Sequence, residues 1–283
     1  MKKTLLPLVG VLLLCASCDR AKQYIHKMTQ ETVELTDNEP IGELEFNHVL
    51  YCSPDSSVIT EADLPLLNGS ALGDSIFEFI EKEFPGLADA YIEGNTDIKK
   101  AFQHMGQGLY KNITMQKNEL KADYAEEGIP DYMLAWTFEK HVTIAYDTPR
   151  YITYLDEMSE YTGGAHGMGY AFGTTFDKET GERVDKSILK DAADPEFRAM
   201  FQNELLKYFT SEDGNEDGTL EDYLLINLDA LELGNISLTD NSVVIRYQPY
   251  EIAAYAAGLP TAQLTFEQVR PYLSRKGLDL IGK

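Results

Sequence analysis

Histidine, cysteine and tryptophan are scarce in this chain: five, three and one among 283 residues. Two of the three cysteines fall within the first eighteen positions, so no disulfide framework can hold the remainder together. The histidines at 26, 48, 104, 141 and 166 are scattered and form no recognisable metal or catalytic interval. No serine stands on a Gly-x-Ser-x-Gly elbow. Basic residues number 24 against 47 acidic ones, a formal charge of −23 that repels phosphate backbones and excludes an electrostatic nucleic-acid footprint. Long apolar runs are also missing. The run from Leu5 to Leu14 is well short of the ~20 residues that a spanning helix needs.

What is present is enough for a folded core. Hydrophobic residues make up 43% and aromatics 11%, with seventeen Tyr and twelve Phe, which excludes wholesale disorder. The start reads as a secretory signal, residues 1–17: Lys2 and Lys3, a short apolar run, then Ala16 and Ser17 before Cys18. Leu14-Cys15-Ala16-Ser17-Cys18 resembles a bacterial lipobox, which marks Cys18 as the lipidated N-terminus of the mature chain. Cleavage there removes two lysines and no acid, leaving 22 − 47 = −25. The chain is therefore expected in the cell envelope, extracytoplasmic and lipid-anchored. Cys52, among Val49, Leu50 and Tyr51, reads as a buried small hydrophobe on a strand.

Residues 18–40, polar and without a sustained period, read as the lipidated cysteine and its tether. Leu44, Phe46, His48 and Leu50 alternate across a first strand. A helix follows Ser70, with Ile76, Phe77, Ile80 and Phe84 on one face. Another starts near Asp97, with Phe102, Met105 and Leu109 inward. Trp136, Phe138, Val142, Ile144 and Tyr146 give a half-buried strand with His141 on its solvent side. Partner strands follow at residues 151–160 and 168–176, with Gly181 in a turn. Asp194-Pro195-Glu196 starts a helix with Phe197, Met200, Phe201, Leu205 and Phe209 inward. A short helix is expected from Tyr223 to Leu228, then strands at 236–238, 243–247 and 263–266 and a closing helix to Leu273. Strands grouped together and helices set aside predict an α+β fold. Its expected form is a mainly antiparallel sheet with helices packed to one side, in two associated subdomains, residues 41–155 and 156–283.

Three stretches invite chemistry. In residues 157–167, Gly163 and Gly164 allow a tight turn or close approach, and His166 titrates near neutrality. With Glu157 and Glu160 it supplies the residue types of an acid/base pair for a polysaccharide hydrolase; a histidine satisfying loop carbonyls is the competing structural reading. In the acidic loop 213–224, Asp213, Asn215 and Asp217 occupy positions one, three and five of a calcium loop and Gly218 occupies position six. Leu224 stands where the bidentate Glu belongs. Calcium is thus the one cofactor candidate, and a solvated acidic turn is its alternative. In residues 247–258, Tyr247, Tyr250 and Tyr255 surround small residues, as at recognition surfaces or at a capped sheet edge.

Tyr161-Thr162-Gly163-Gly164-Ala165-His166, followed some eighty residues later by Tyr247-Gln248-Pro249-Tyr250-Glu251-Ile252-Ala253-Ala254-Tyr255-Ala256-Ala257-Gly258, resembles the RsiV-type C-terminal domain. That domain occurs in lysozyme-sensing anti-sigma factors and beside the catalytic module of PdaC peptidoglycan deacetylases. The similarity covers about residues 160–275, and about 41–155 resembles the domain's usual upstream companion. The resemblance implies a binding or envelope-sensing module whose partner is a protein or glycan, lysozyme among them. Gly163, Gly164, His166, Tyr247, Tyr250 and Tyr255 are the expected contact residues, because glycine-rich and tyrosine-rich loops on a sheet scaffold are typical contact sites. The chain departs from the sensors in having no transmembrane or cytoplasmic segment, and from the deacetylases in having no metal-binding His and Asp module. Catalysis is accordingly not expected.

Overall fold

The computed structural model describes residues 44–67, 69–85, 87, 98–213 and 218–282, all within one compact unit. Cys18, the signal segment and the tether lie outside the described residues, as do Asn215, Asp217 and the side chain of Asp213. The described chain is α+β: five strands in one sheet, three in another, and six α-helices.

The first sheet has the order β1-β2-β3-β4-β5: Phe46–Cys52, Val58–Pro65, Thr137–Asp147, Tyr151–Tyr161 and Met168–Asp177. Every neighbouring pair is antiparallel except β2 and β3, which are parallel. Parallel neighbours need a long crossover, and helices α1 (Ala71–Glu83) and α2 (Ile98–Asp123) fall between them. The position between residues 155 and 156 lies inside β4, and the first sheet continues to Asp177.

Register sorts side chains onto two faces. Val58 and Ala62, Val142, Ile152 and Tyr154, and Phe176 share the face whose core also holds Ile76, Phe79 and Ile80 of α1 and Phe102 of α2. Helix α1 starts as its sequence dictates: the Ser70 hydroxyl accepts from Gly73 N–H at 3.1 Å. Phe79 occupies the core place expected for Phe77, which is half-buried. In β1 the alternation changes phase. Leu44 and Phe46 are buried as expected, but Val49 and Tyr51 then take the core, leaving His48 and Leu50 half-buried. The reason is α2, whose Gly106 lies so close to the Tyr51 ring that no Cβ would fit. Cys52 at the end of β1 is exposed, not buried, because the strand there runs into a turn.

The second sheet is antiparallel, β6-β7-β8: Asn235–Leu238, Ser242–Arg246 and Thr261–Thr265. Helix α3 (Pro195–Asp213) starts at the expected acid, whose carboxylate accepts from Glu196 and Phe197 N–H, both at 3.0 Å. Its Phe197, Phe201, Leu205 and Phe209 are buried with Ile245, Leu264 and Tyr247. The short helix after the acidic loop, α4 (Leu220–Tyr223), comes earlier than expected. The closing segment is α5 (Phe266–Val269), a 3₁₀ turn and then α6 (Arg275–Ile281), which the sequence reading did not foresee. The second sheet meets the first at β4 and β5, where Thr153 donates to Leu238 O at 2.8 Å and Thr175 Oγ1 accepts from Leu238 N–H at 2.9 Å.

Candidate binding surface

The β4–β5 connection is built around glycine. Gly163 and Gly164 have φ of +87° and +112°, a region open to glycine and strained for other residues. A Cβ on Gly163 would lie 3.2 Å from the Met133 backbone, so the loop and the 3₁₀ turn Asp131–Leu134 approach closely. Tyr161 donates its hydroxyl to Gly164 O at 3.0 Å and holds the loop folded back.

The segment that follows β7 comes to this loop from eighty residues away. Tyr255 donates to Gly167 O at 2.7 Å, and His166 Nδ1 donates to the same carbonyl at 2.9 Å. The His166 and Tyr255 rings stack, with centroids 4.1 Å apart and planes at 21°. Tyr250 continues the row, 5.7 Å from Tyr255. Tyr250 is 54% exposed and holds a φ of +67°; among the described residues Ser56 is the one other non-glycine residue with a positive φ. A bulky side chain in that region is strained. A turn enforces it: Glu251 N–H donates to Gln248 O at 3.1 Å and Glu251 Oε2 accepts from Gln248 N–H at 2.8 Å.

The edge of β5 is closed by side chains. The Gln248 amide bonds Ala171 N–H and O at 3.0 and 2.9 Å, and the Asn235 amide bonds Gly173 N–H and O at 2.8 and 2.9 Å. Each carboxamide stands in for a strand residue and blunts an otherwise open edge. Gly173 is required here, since a Cβ would collide with Ser237.

The structure thus joins Gly163, Gly164, His166, Tyr250 and Tyr255 in one surface. It removes Tyr247, which was expected there. That side chain is 1% exposed, packs near Phe201 and donates its hydroxyl to Glu232 O at 2.5 Å. The hydrolase trio is not assembled. Glu157 pairs with His141 and Ala171 while Glu160 lies three residues on, so the two project from opposite faces of β4. His166 is engaged by Gly167 and Tyr255 and not by either acid.

A half-buried polar cluster lies on the face of β1, β2 and β3 opposite the helices. His48 Nδ1 is 2.9 Å from Asp63 and its Nε2 is 3.2 Å from Glu61, whose other oxygen is 2.6 Å from His141 Nδ1. The hydrogen bonds to Asp63 and then Glu61 raise His48 to about 10. Burial pushes Glu61 up, but the bonds from His141 and His48 outweigh it and hold the carboxyl at about 2. An imidazolium fixed at both nitrogens is a brace and not a base at neutral pH. His141, read from sequence as solvent-facing, is 30% exposed and bonded in this cluster. Strand alternation gave His141 its correct face but put His48 in the apolar series of β1, and His48, Glu61 and His141 are brought together by sheet register alone. Among the described residues, no group of three or more His, Cys, Asp or Glu could hold a metal ion, and no helix is long and apolar enough to cross a membrane.

Comparison with known proteins places two family matches on this frame. Residues 67–169 match the family model described as deacetylase PdaC, and residues 186–267 match that of a protein of unknown function, DUF3298. The Tyr161–His166 motif lies in the first match and the Tyr247–Gly258 motif in the second, and the structure brings them together across both. The crystal structure of a DUF3298-family member from Bacteroides fragilis is similar with a TM-score of 0.60 and 16% identity, covering 86% of this chain and 99% of that one. At this identity the likeness is one of fold. A DUF3298 family protein from Pseudomonas aeruginosa gives a TM-score of 0.48 at 12% identity, covering 85% and 97%. No curated protein matches the chain.

Proposed function

We propose that this chain is a binding module of the bacterial cell envelope, held to a membrane by a lipid on Cys18. In this reading it presents the Gly163–His166 loop with Tyr250 and Tyr255 to a protein or glycan partner. The carrying observation is the aromatic corner. Two loops eighty residues apart converge there, and Tyr250 is held exposed in a strained conformation, as at ligand-contacting positions. Tyrosine offers contact area with little side-chain entropy to lose. The net charge of −25 after cleavage supports fast encounter with a cationic protein such as lysozyme, an effect that salt screens.

The test is calorimetric titration of residues 19–283 with lysozyme and, separately, with peptidoglycan fragments, at low and high salt. The reading expects binding to one of them. A protein partner should bind more weakly in salt, and Tyr250→Ala should weaken either interaction at least about tenfold, as a central aromatic contact does. Silence with both ligands, or a Tyr250→Ala variant that binds unchanged, would refute this surface as the site.

A further inference from the structure

The helix-covered face of the first sheet carries charge in the midst of its apolar core. Lys140 of β3 is 8% exposed and Asp156 of β4 is 4% exposed, and Glu83, the last residue of α1, closes over them. Lys140 Nζ donates to Glu83 Oε2 at 2.5 Å and to the Tyr170 hydroxyl of β5 at 2.7 Å. Asp156 Oδ1 lies 3.3 Å from the same nitrogen, without hydrogen-bond geometry, and has no hydrogen-bond partner. Lys140 already bonds Glu83, so the buried and unpartnered Oδ1 of Asp156 is where a proton on the carboxyl pair is most favoured.

The charge balance follows. One ammonium faces two carboxyl groups, so the cluster is neutral with a shared proton and carries one uncompensated buried negative charge without it. Tyr170 from β5 adds a hydroxyl and no charge. Arg183, beyond the end of β5, interacts electrostatically with Glu83 and with Glu78 of α1. Neither cancels the charge on Asp156. Burying such a charge costs free energy that the fold can relieve by moving Glu83, the most accessible member.

We propose that Glu83, Asp156 and Lys140 form a proton-dependent latch: the shared proton seats the C-terminal turn of α1 on the sheet, and its loss loosens that turn. Burial is the main reason that Asp156 is raised to about 7, which puts the transition near neutral pH. The sign is fixed by linkage. The unfolded carboxyl releases its proton near 3.8 and the folded one near 7, so the folded chain binds more protons in that window. Stability therefore falls as pH rises from about 4 to 7, and levels off above.

The test is hydrogen exchange of the full chain at pH 5.5 and 8.5, corrected for intrinsic rates, at the amides of residues 80–84. In the wild type, protection there should fall about tenfold or more on going to pH 8.5, the factor that one unit of pKa shift carries. Asp156→Asn, neutral at both pH values, should keep its protection at both. Equal protection of the wild type at the two pH values, or the same fall in Asp156→Asn, overturns the latch. If Asp156→Asn does not fold, infrared titration of the wild type decides. A protonated-carboxyl band that disappears near pH 7 and is missing from Glu83→Gln supports the latch; its absence from the wild type overturns it.

Discussion

Tyr250 allows the reasoning about the aromatic corner to be tested without knowledge of any partner. Its φ of +67° lies where an L-residue is strained by about 1–2 kcal/mol and where glycine is at ease. Its side chain is more than half exposed and touches Tyr255 at a ring separation of 5.7 Å, a contact worth about 0.5–1.5 kcal/mol. Tyr250→Gly should therefore relieve the backbone strain and lose the ring contact. Glycine's extra freedom in the unfolded chain costs a further 0.5–1 kcal/mol or so. The balance is a stability within about 1 kcal/mol of the wild type. Tyr250→Val loses the same ring contact while placing a β-branched residue in the same conformation, where strain is greatest. The two variants should differ by about 2 kcal/mol, glycine the more stable, which for a chain of this size is roughly 4–8 °C in melting temperature. Urea denaturation with linear extrapolation would measure it, provided the slopes agree. Equal stabilities of the glycine and valine variants would mean that Tyr250 is not held at positive φ, and the argument from strain would fail.

Other outcomes follow from the same geometry. Gln248→Ala and Asn235→Ala each leave a β5 N–H and carbonyl uncovered, and should each cost about 1–3 kcal/mol and speed exchange at Ala171 or Gly173 respectively. Phe176→Ala empties a position that is 0% exposed between Tyr154 and Phe79, at a cost of about 3–5 kcal/mol by thermal or chemical unfolding. Glu61 is held at about 2 when folded against 4.5 otherwise, so its stabilisation is present above pH 4.5 and lost as pH falls toward 2. An acid titration followed by circular dichroism should therefore be flatter for Glu61→Gln than for the wild type.

Much of the fold is legible in local pattern. The Ser70 and Asp194 caps, the series Phe138, Val142 and Ile144 in β3 and the glycine turn at Gly181 are set by neighbours in sequence, and there expectation and structure agree; Tyr146, past a bulge, pairs with Thr153 and leaves the series. Gly181 has a φ of +73°, and a Cβ on it would press on Ala71 O at 2.6 Å, so the turn also fixes the start of α1. The phase change in β1, the exposure of Cys52 and the burial of Tyr247 were not legible, because each depends on which remote segment covers the strand. For the candidate surface, the glycines and tyrosines could be named from composition. Which tyrosine faces solvent could not.

The amino-acid sequence by itself determined the class of protein: an acidic chain with a core rich in aromatic residues, α+β segments in order, and two loops rich in glycine and tyrosine. These properties depend on periods of two or three to four residues and on composition, which act at short range. Only the tertiary structure decided that β4 and β5 complete the first sheet, that His166 lies against Tyr255, and that Lys140 is shared by two buried carboxyl groups. Pairing across a sheet and packing between sheets join residues from 16 positions apart, as Lys140 and Asp156, to 89, as His166 and Tyr255. No local preference encodes such a meeting, because it is the burial of the whole apolar surface that selects it.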